Sequence, residues 1–215
     1  MKKIAFLNQK GGVGKTMLAT NIACFMTNIA CKKTLLVDTD KQGTSRDWLA
    51  KGRRLDIDCI GMDRPQQLHS LDKFSNYDIC IIDAASGLST ITIEIIKNVD
   101  ILIIPIQPSP YDIWATHELV EIITRYTALK PTLKAYFVLN MKRANTNICD
   151  EAMIALKNHN AIQTLNVGTH LRVAYQECAA NGLSVLEGKD NKAAHEIIDI
   201  GNIVLRLLED SHGQY

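Results

Sequence analysis

No apolar run in this chain reaches the roughly 20 residues that a membrane-spanning helix needs. No signal-peptide pattern opens it, because an apolar strand begins at once, so a cytoplasmic protein is expected. The six cysteines, Cys24, Cys31, Cys59, Cys80, Cys149 and Cys178, include no Cys-x-x-Cys pair. That spacing speaks against a zinc or iron–sulfur site. Most of them lie in apolar-patterned segments and read as reduced core residues. Neither sign of charge is in excess: 24 Lys+Arg against 23 Asp+Glu leave a net charge of +1. Binding to nucleic acid through overall basicity is thereby excluded, and any DNA contact needs a local patch or an assembled surface. No repeat, linker or low-complexity tract interrupts the chain. What remains is 215 residues, 47% hydrophobic, enough for one domain with a sizeable core or two small ones at most.

Apolar runs alternate with helical patterns, which is the sign of βα units and a parallel sheet. Strands are expected at Ile4–Leu7, Thr34–Val37, Ile57–Ile60, Tyr77–Ile82, Ile101–Ile106, Ala135–Leu139 and, shorter, Ile162–Leu165. A helix after the first strand shows Leu18, Ile22, Phe25, Met26 and Ile29 on one face, and a short one carries Trp48 and Leu49. Ile91–Ile96 is β-branched, yet its place between two better strands favours a helix. Ser109-Pro110-Tyr111-Asp112 reads as a helix start with Ser109 as N-cap and Asp112 completing a capping box. That helix would run inward on Ala115, Leu119, Ile122, Ile123 and Tyr126. Further helices are expected over 148–158, 171–180 and 193–208. The fold class is α/β: one doubly wound, mostly parallel sheet over 1–215 with helices on both faces. Ligands should bind at the C-terminal strand ends.

One stretch organises the rest, Phe6-Leu7-Asn8-Gln9-Lys10-Gly11-Gly12-Val13-Gly14-Lys15-Thr16. A strand, a glycine-rich loop and a helix form the arrangement that holds a phosphate. Backbone N–H groups around Gly11, Gly12, Val13 and Gly14 can turn toward an anion, and the helix beginning near Lys15 adds its positive end. Lys15 can reach the β- and γ-phosphates, and the Thr16 hydroxyl can ligate Mg²⁺. The general P-loop pattern has glycine where this chain has Gln9.

Three acids fall at strand ends that such a sheet brings beside this loop: Asp38, Asp40 and Asp83. A carboxylate ending an apolar strand is costly unless something uses it, and a hydrated Mg²⁺ on a nucleotide is the natural user. Asp83, after Ile79-Cys80-Ile81-Ile82, reads as a Walker B acid.

The string Lys10-Gly11-Gly12-Val13-Gly14-Lys15-Thr16, with two lysines, resembles the deviant Walker A motif of the ParA/MinD family of ATPases. Leu35-Leu36-Val37-Asp38-Thr39-Asp40 resembles its second motif. The resemblance covers most of the chain. Pro105-Ile106-Gln107-Pro108-Ser109-Pro110 looks like the family's proline-bearing loop, and Asn140 like its adenine-side residue. Arg172-Val173-Ala174-Tyr175 with Gly182-Leu183-Ser184-Val185 looks like its C-terminal region. It implies ATP and Mg²⁺ as cofactors, with Thr16, Asp38 and Asp83 around the metal. It implies Asp40 as the residue that positions the attacking water, Met17 at a position facing the α-phosphate, and Lys10 as a cation reaching across an ATP-dependent homodimer. The chain departs from the family at Lys41, where proline is usual after the second acid. It departs again at Ala84-Ala85-Ser86-Gly87, where a proline pair is common, and at Met17, where a hydroxyl is.

The best match is to small ParF-like plasmid-partition proteins, which lack an N-terminal DNA-binding extension; a P-loop starting at residue 9 leaves no room for one. The resemblance then implies a DNA-segregation ATPase that binds non-specific DNA and associates with the nucleoid when ATP-bound. A centromere-binding, ParB-like partner protein would stimulate its slow hydrolysis. Arg53, Arg54, Lys142, Arg143, Arg172, Lys189 and Lys192 are basic residues that could touch DNA. Two other readings share the motifs. One is a MinD-like membrane-positioning ATPase, disfavoured because the apolar face of the last helix leads into an acidic, polar tail, Glu209–Tyr215. The other is a conjugation accessory ATPase that recruits DNA.

Overall fold

The computed structural model describes residues 1–54, 56–143, 148–157 and 162–210. Strands and helices alternate along them: β1 (Lys2–Phe6), α1 (Lys15–Asn28), β2 (Thr34–Asp38), α2 (Thr44–Gly52), β3 (Asp58–Gly61), α3 (Pro65–Leu68), β4 (Ile79–Asp83), α4 (Thr90–Asn98), β5 (Ile101–Ile106), α5 (Pro110–Ala115), α6 (His117–Leu129), β6 (Lys134–Lys142), α7 (Ile148–Lys157), β7 (Gln163–His170), α8 (Val173–Ala180) and α9 (Asn191–Asp210). The strands form one seven-stranded sheet in the order β3-β2-β4-β1-β5-β6-β7. Every pairing is parallel. All strands therefore deliver their C-terminal ends to one edge.

The pleat sorts the core. Ala5, Leu35, Val37, Cys80, Ile82, Leu102, Ile104 and Phe137 face one side, packed with Leu68 of α3, Ile95 of α4, Ile123 of α6 and Leu156 of α7. Ile4, Phe6, Leu36, Ile79, Ile81, Ile103 and Val138 face the other, against Ile22 and Phe25 of α1 and Ile197, Ile200 and Val204 of α9. Side chains alternate across a strand, so a central strand buried on both faces must be apolar along its length, as β5 is and as β4 is up to its terminal Asp83. The apolar stripe of α9 closes on α1 at Gly201, where an added Cβ would stand 2.4 Å from the Phe25 ring.

The β-branched segment 91–96 lies within α4, as its place between strands predicted. Three local expectations need correction. The helix after Ser109 is broken in two at Thr116, which takes φ −90° and ψ −2°. Its hydroxyl donates to the Ile113 carbonyl at 2.7 Å and closes the first segment. The capping box there does not form: Ser109 makes no side-chain cap bond, and Asp112 turns its carboxylate to Lys10 instead. The strand expected at Ile162–Leu165 extends to His170, because β6 itself runs on to Lys142 and offers it a longer edge. The end of the helix expected over 148–158 and the tail 211–215 lie outside the described residues.

Candidate nucleotide site

The register of the sheet builds the site. Phe6 at the end of β1 pairs with Asp83 at the end of β4, and Asp83 pairs with Asp38 at the end of β2. Two carboxylates are thus held one strand spacing apart, beside the loop that leaves β1. That loop, residues 7–14, turns into α1 through Gly14 at φ 91°, a left-handed conformation. A Cβ at Gly14 would stand 2.1 Å from Nδ2 of Asn140, so glycine is needed here for both backbone and space. Asn140, fully buried at the far side of the loop, donates from Nδ2 to the Val13 carbonyl at 2.6 Å, and its Oδ1 accepts from the Thr169 hydroxyl. On the near side, Asn8 Nδ2 donates to the Pro105 carbonyl at 2.7 Å, and its Oδ1 accepts from the Lys10 N–H at 2.9 Å.

Lys15 is buried at the helix start. Its ammonium donates to the Lys10 carbonyl at 3.0 Å and to the Ser86 hydroxyl at 2.8 Å. Burial pushes its pKa down, and the carboxylates of Asp83 and Asp40 pull it back. Met17 lies one residue beyond Thr16, half-buried, and its carbonyl accepts from Asn21 Nδ2 at 2.7 Å.

Asp83 is buried and its pKa is raised to about 6. Desolvation is the main cause; the hydroxyls of Ser45 and Thr16 oppose it, the charge of Asp38 adds to it, and Lys15 again opposes it. Ser45 Oγ donates to Asp83 Oδ2 at 2.7 Å, whereas Oδ1 of Asp83 has no hydrogen-bond partner. Asp38, fully buried, accepts the Asp40 N–H on Oδ1 at 3.0 Å and the N–H groups of Ser45 and Arg46 on Oδ2, so it caps α2 from the end of β2. Asp40 sits half-buried at the rim, with Oδ1 accepting the Gln42 N–H at 2.9 Å.

A nucleotide with Mg²⁺ fits what is there. Loop amides, the Lys15 ammonium and the α1 N-terminus supply positive potential for phosphate. Thr16, Asp38 and Asp83 supply oxygens, and the unpartnered Oδ1 of buried Asp83 is one a cation would satisfy. Among the described residues no group of three His, Cys, Asp or Glu side chains forms a metal cage of its own. Mg²⁺ suits such a site, since it takes one or two carboxylates together with substrate phosphates and water.

Lys10 is exposed at the loop's outer edge and pairs with Asp112 of α5 at 2.8 Å. Four participants carried no sequence signal that pointed to this site: Ser45, Ser86, Arg46 and Asp112. Ser45 and Ser86 are hydroxyls five and three residues beyond an acid, a spacing with many innocent explanations. Of the basic residues considered for DNA, Arg54 and Arg172 are among those engaged within the chain. Arg54 pairs with Asp56 at 2.8 Å and Glu187 at 2.5 Å and is only 5% exposed, so it offers no surface charge. Arg172 pairs with Glu196 at 3.0 Å. Arg53, Arg143, Lys189 and Lys192 are exposed, and Lys142 is half-buried.

A glycine loop between strand and helix, at the C-terminal edge of a parallel doubly wound sheet and beside two in-register acids, defines a P-loop nucleotide-binding protein. The family described as CobQ/CobB/MinD/ParA nucleotide binding domain matches residues 4–185. The chain belongs to this family, as a ParA/MinD-type ATPase. It is 30% identical over 209 residues to the maintenance of carboxysome distribution protein A of Halothiobacillus neapolitanus, covering 94% of this chain and 95% of the relative. It is 24% identical over 192 residues to the chromosome-partitioning ATPase Soj of Thermus thermophilus, covering 74% and 77%. Its fold matches that of the septum site-determining protein MinD complexed with Mg-ADP from Pyrococcus horikoshii, with a TM-score of 0.75 and 17% identity over 98% of each chain.

Proposed function

We propose that this chain is an ATP-dependent DNA-partition ATPase. It forms an ATP-sandwich homodimer, binds DNA without sequence preference, and hydrolyses ATP slowly until a centromere-binding, ParB-like partner protein stimulates it. The observation that carries the reading is the doubly-lysine glycine loop set against Asp38 and Asp83 in register. Relatives named for chromosome partition and carboxysome distribution support a role in spatial positioning.

In this reading the backbone from Gly11 to Thr16 and the Lys15 ammonium bind and orient the β- and γ-phosphates. Thr16, Asp38 and Asp83 hold Mg²⁺, which when bound supplies charge neutralisation on the phosphates. Asp40, at the rim, orients the attacking water, with Ser86 and the 84–87 loop closing over that side. Met17 and Asn140 line the nucleotide side, Asn140 by fixing the loop at Val13. Lys10 leaves Asp112 and reaches the partner subunit's phosphates, adding a cation only in the dimer.

The carboxysome relative supports a second reading of the cargo: the same ATPase could distribute a protein assembly along DNA rather than a plasmid. A membrane role has less support. The apolar residues Ile197, Ile200, Val204 and Leu208 of α9 are buried against the sheet, and no helix among the described residues is long and apolar enough to cross a membrane.

Co-sedimentation with non-specific DNA and, in parallel, with anionic liposomes, comparing Mg-ATP with Mg-ADP, tests the proposal. ATP-dependent retention on DNA alone is the expected result. Retention on liposomes alone overturns it in favour of a membrane-positioning ATPase.

A further inference from the structure

Arg46 stands in the first turn of α2, and its side chain folds back over the loop that carries Asp40. Nη2 donates to the Asp40 carbonyl at 3.2 Å, and Nε lies 3.6 Å from Oδ2 of Asp38. The guanidinium rests in a slot between the ends of β2 and β3 that two glycines leave open. A Cβ on Gly43 would stand 2.7 Å from Nη2, and one on Gly61 would stand 3.1 Å from Nη1. The side chain keeps 44% exposure, so it is a strap across the outside rather than part of the core.

The loop under this strap has little else to define it. Thr39 is tied to β4 through the Asp83 carbonyl, by its N–H and its hydroxyl. From Asp40 to Gly43 the remaining bonds are short-range: Asp40 N–H to Asp38 Oδ1, Gln42 N–H to Asp40 Oδ1, Gly43 N–H to the Asp40 carbonyl, and Asp47 N–H to the Gly43 carbonyl. Such turns open and close easily. Residue 41 is lysine, which leaves φ free where a proline would fix it. A planar guanidinium that donates to the Asp40 carbonyl while paired at 3.6 Å with the Asp38 carboxylate adds a longer-range restraint to the Asp40–Asp38 backbone bond, because its rigid plane fixes the two contacts relative to each other.

We propose that Arg46 is the positioning residue for Asp40: it fixes the backbone of the Asp40 turn against Asp38 and so sets where the Asp40 carboxylate stands. The role rests on the reading of Asp40 as the water-orienting residue of an ATPase. It predicts that the loop is ordered before nucleotide arrives, so that removing the strap affects the chemical step more than binding.

The test compares wild type with Arg46→Ala and Arg46→Lys by three measurements. They are hydrogen exchange of the nucleotide-free protein, affinity for a fluorescent ATP analogue, and ATP turnover with non-specific DNA. Arg46→Ala should speed exchange at residues 40–43 about fivefold, as loss of one partly exposed charge-assisted bond implies, while β2 and β4 are unchanged. It should keep nucleotide affinity within about twofold and lower kcat at least about tenfold, because misplacing a reacting group is costly. Arg46→Lys retains the charge but not the fork and should fall between. Unchanged exchange and kcat in Arg46→Ala beside an active wild type overturn the role of Arg46 alone. A kcat loss matched by an equal loss of affinity also overturns it, since that pattern marks general damage. A wild type without turnover overturns the ATPase reading itself, and the positioning role with it.

Discussion

Nζ of Lys10 stands 2.8 Å from Oδ1 of Asp112, an ion pair between the glycine loop and α5 in which the carboxylate is buried and the lysine half-exposed. The lysine that the proposed dimer would use across its interface is held here by its own subunit. Dimer formation must then break this pair. Asp112→Asn should remove the competing partner and favour the ATP-bound dimer. With the lysine partly solvated, each pair contributes about 1 kcal/mol at most, and the dimer breaks two of them, so the dimer midpoint should fall by up to about 30-fold in protein concentration. Analytical ultracentrifugation in Mg-ATP reads this directly; an unchanged midpoint would mean that Lys10 is not withheld by Asp112.

Lys15 and Asp40 should separate binding from chemistry. Lys15→Ala removes the buried ammonium and should weaken nucleotide binding at least about tenfold, the low end for hydrogen bonds to charged groups. Asp40→Ala should leave affinity near wild type and lower turnover by about 10²-fold or more, trapping the ATP dimer. Titration with a fluorescent nucleotide and a phosphate-release assay distinguish the two. Normal hydrolysis by Asp40→Ala would remove Asp40 from its role.

Asp83 should make the nucleotide-free protein less stable as pH rises. Its folded pKa, about 6, lies above the ordinary carboxylate value of about 4. Between these values the folded state binds more protons than the unfolded chain, so stability falls through this window and the full cost of the buried charge is present above about pH 6. Two units correspond to roughly 3 kcal/mol as an order of magnitude. Asp83→Asn should therefore raise Tm at pH 8, with the advantage gone below about pH 4. The same variant should lose the Mg²⁺-dependent part of the stabilisation by ATP. Calorimetry across pH, with and without Mg-ATP, checks both; a Tm gain equal at pH 4 and pH 8 would rule out the titration as its source.

Gly201→Ala should destabilise the fold without touching the site. The added methyl would meet the Phe25 ring at 2.4 Å, where α9 crosses α1. Overpacking of this kind typically costs about 1–3 kcal/mol. A urea midpoint shifted downward, with nucleotide affinity retained in the folded fraction, is the expected result.

How much of this was legible beforehand follows from the range of each interaction. The glycine loop and its lysines were readable because a phosphate cradle is local in sequence. The strands were readable because a sheet buried on both faces needs continuous apolar runs. Asp38 and Asp83 were recognisable as strand-terminal acids, but that Asp38 caps α2 through the amides of Ser45 and Arg46 required the loop between them to fold back. Asp112 illustrates the limit. Three residues after Ser109, it had a good local partner, and a lysine about a hundred positions earlier in the chain took it instead. The break at Thr116 escaped for the opposite reason: the apolar spacing continues through it, while a single side-chain hydrogen bond stops the helix.

The pairing of Phe6 with Asp83 and of Asp83 with Asp38 makes the sheet a ruler for the site. Backbone hydrogen bonds set the spacing of the acids, so volume changes within the strand cores can be absorbed without moving them. Insertions behave differently. One extra residue within β4 would turn Asp83 to the opposite face, and two would carry it about 6.6 Å along the strand. Variation in this lineage should accordingly accumulate as substitutions inside the strands and as length changes in the connections at the opposite edge. The count of residues from the start of β4 to its acid should stay constant.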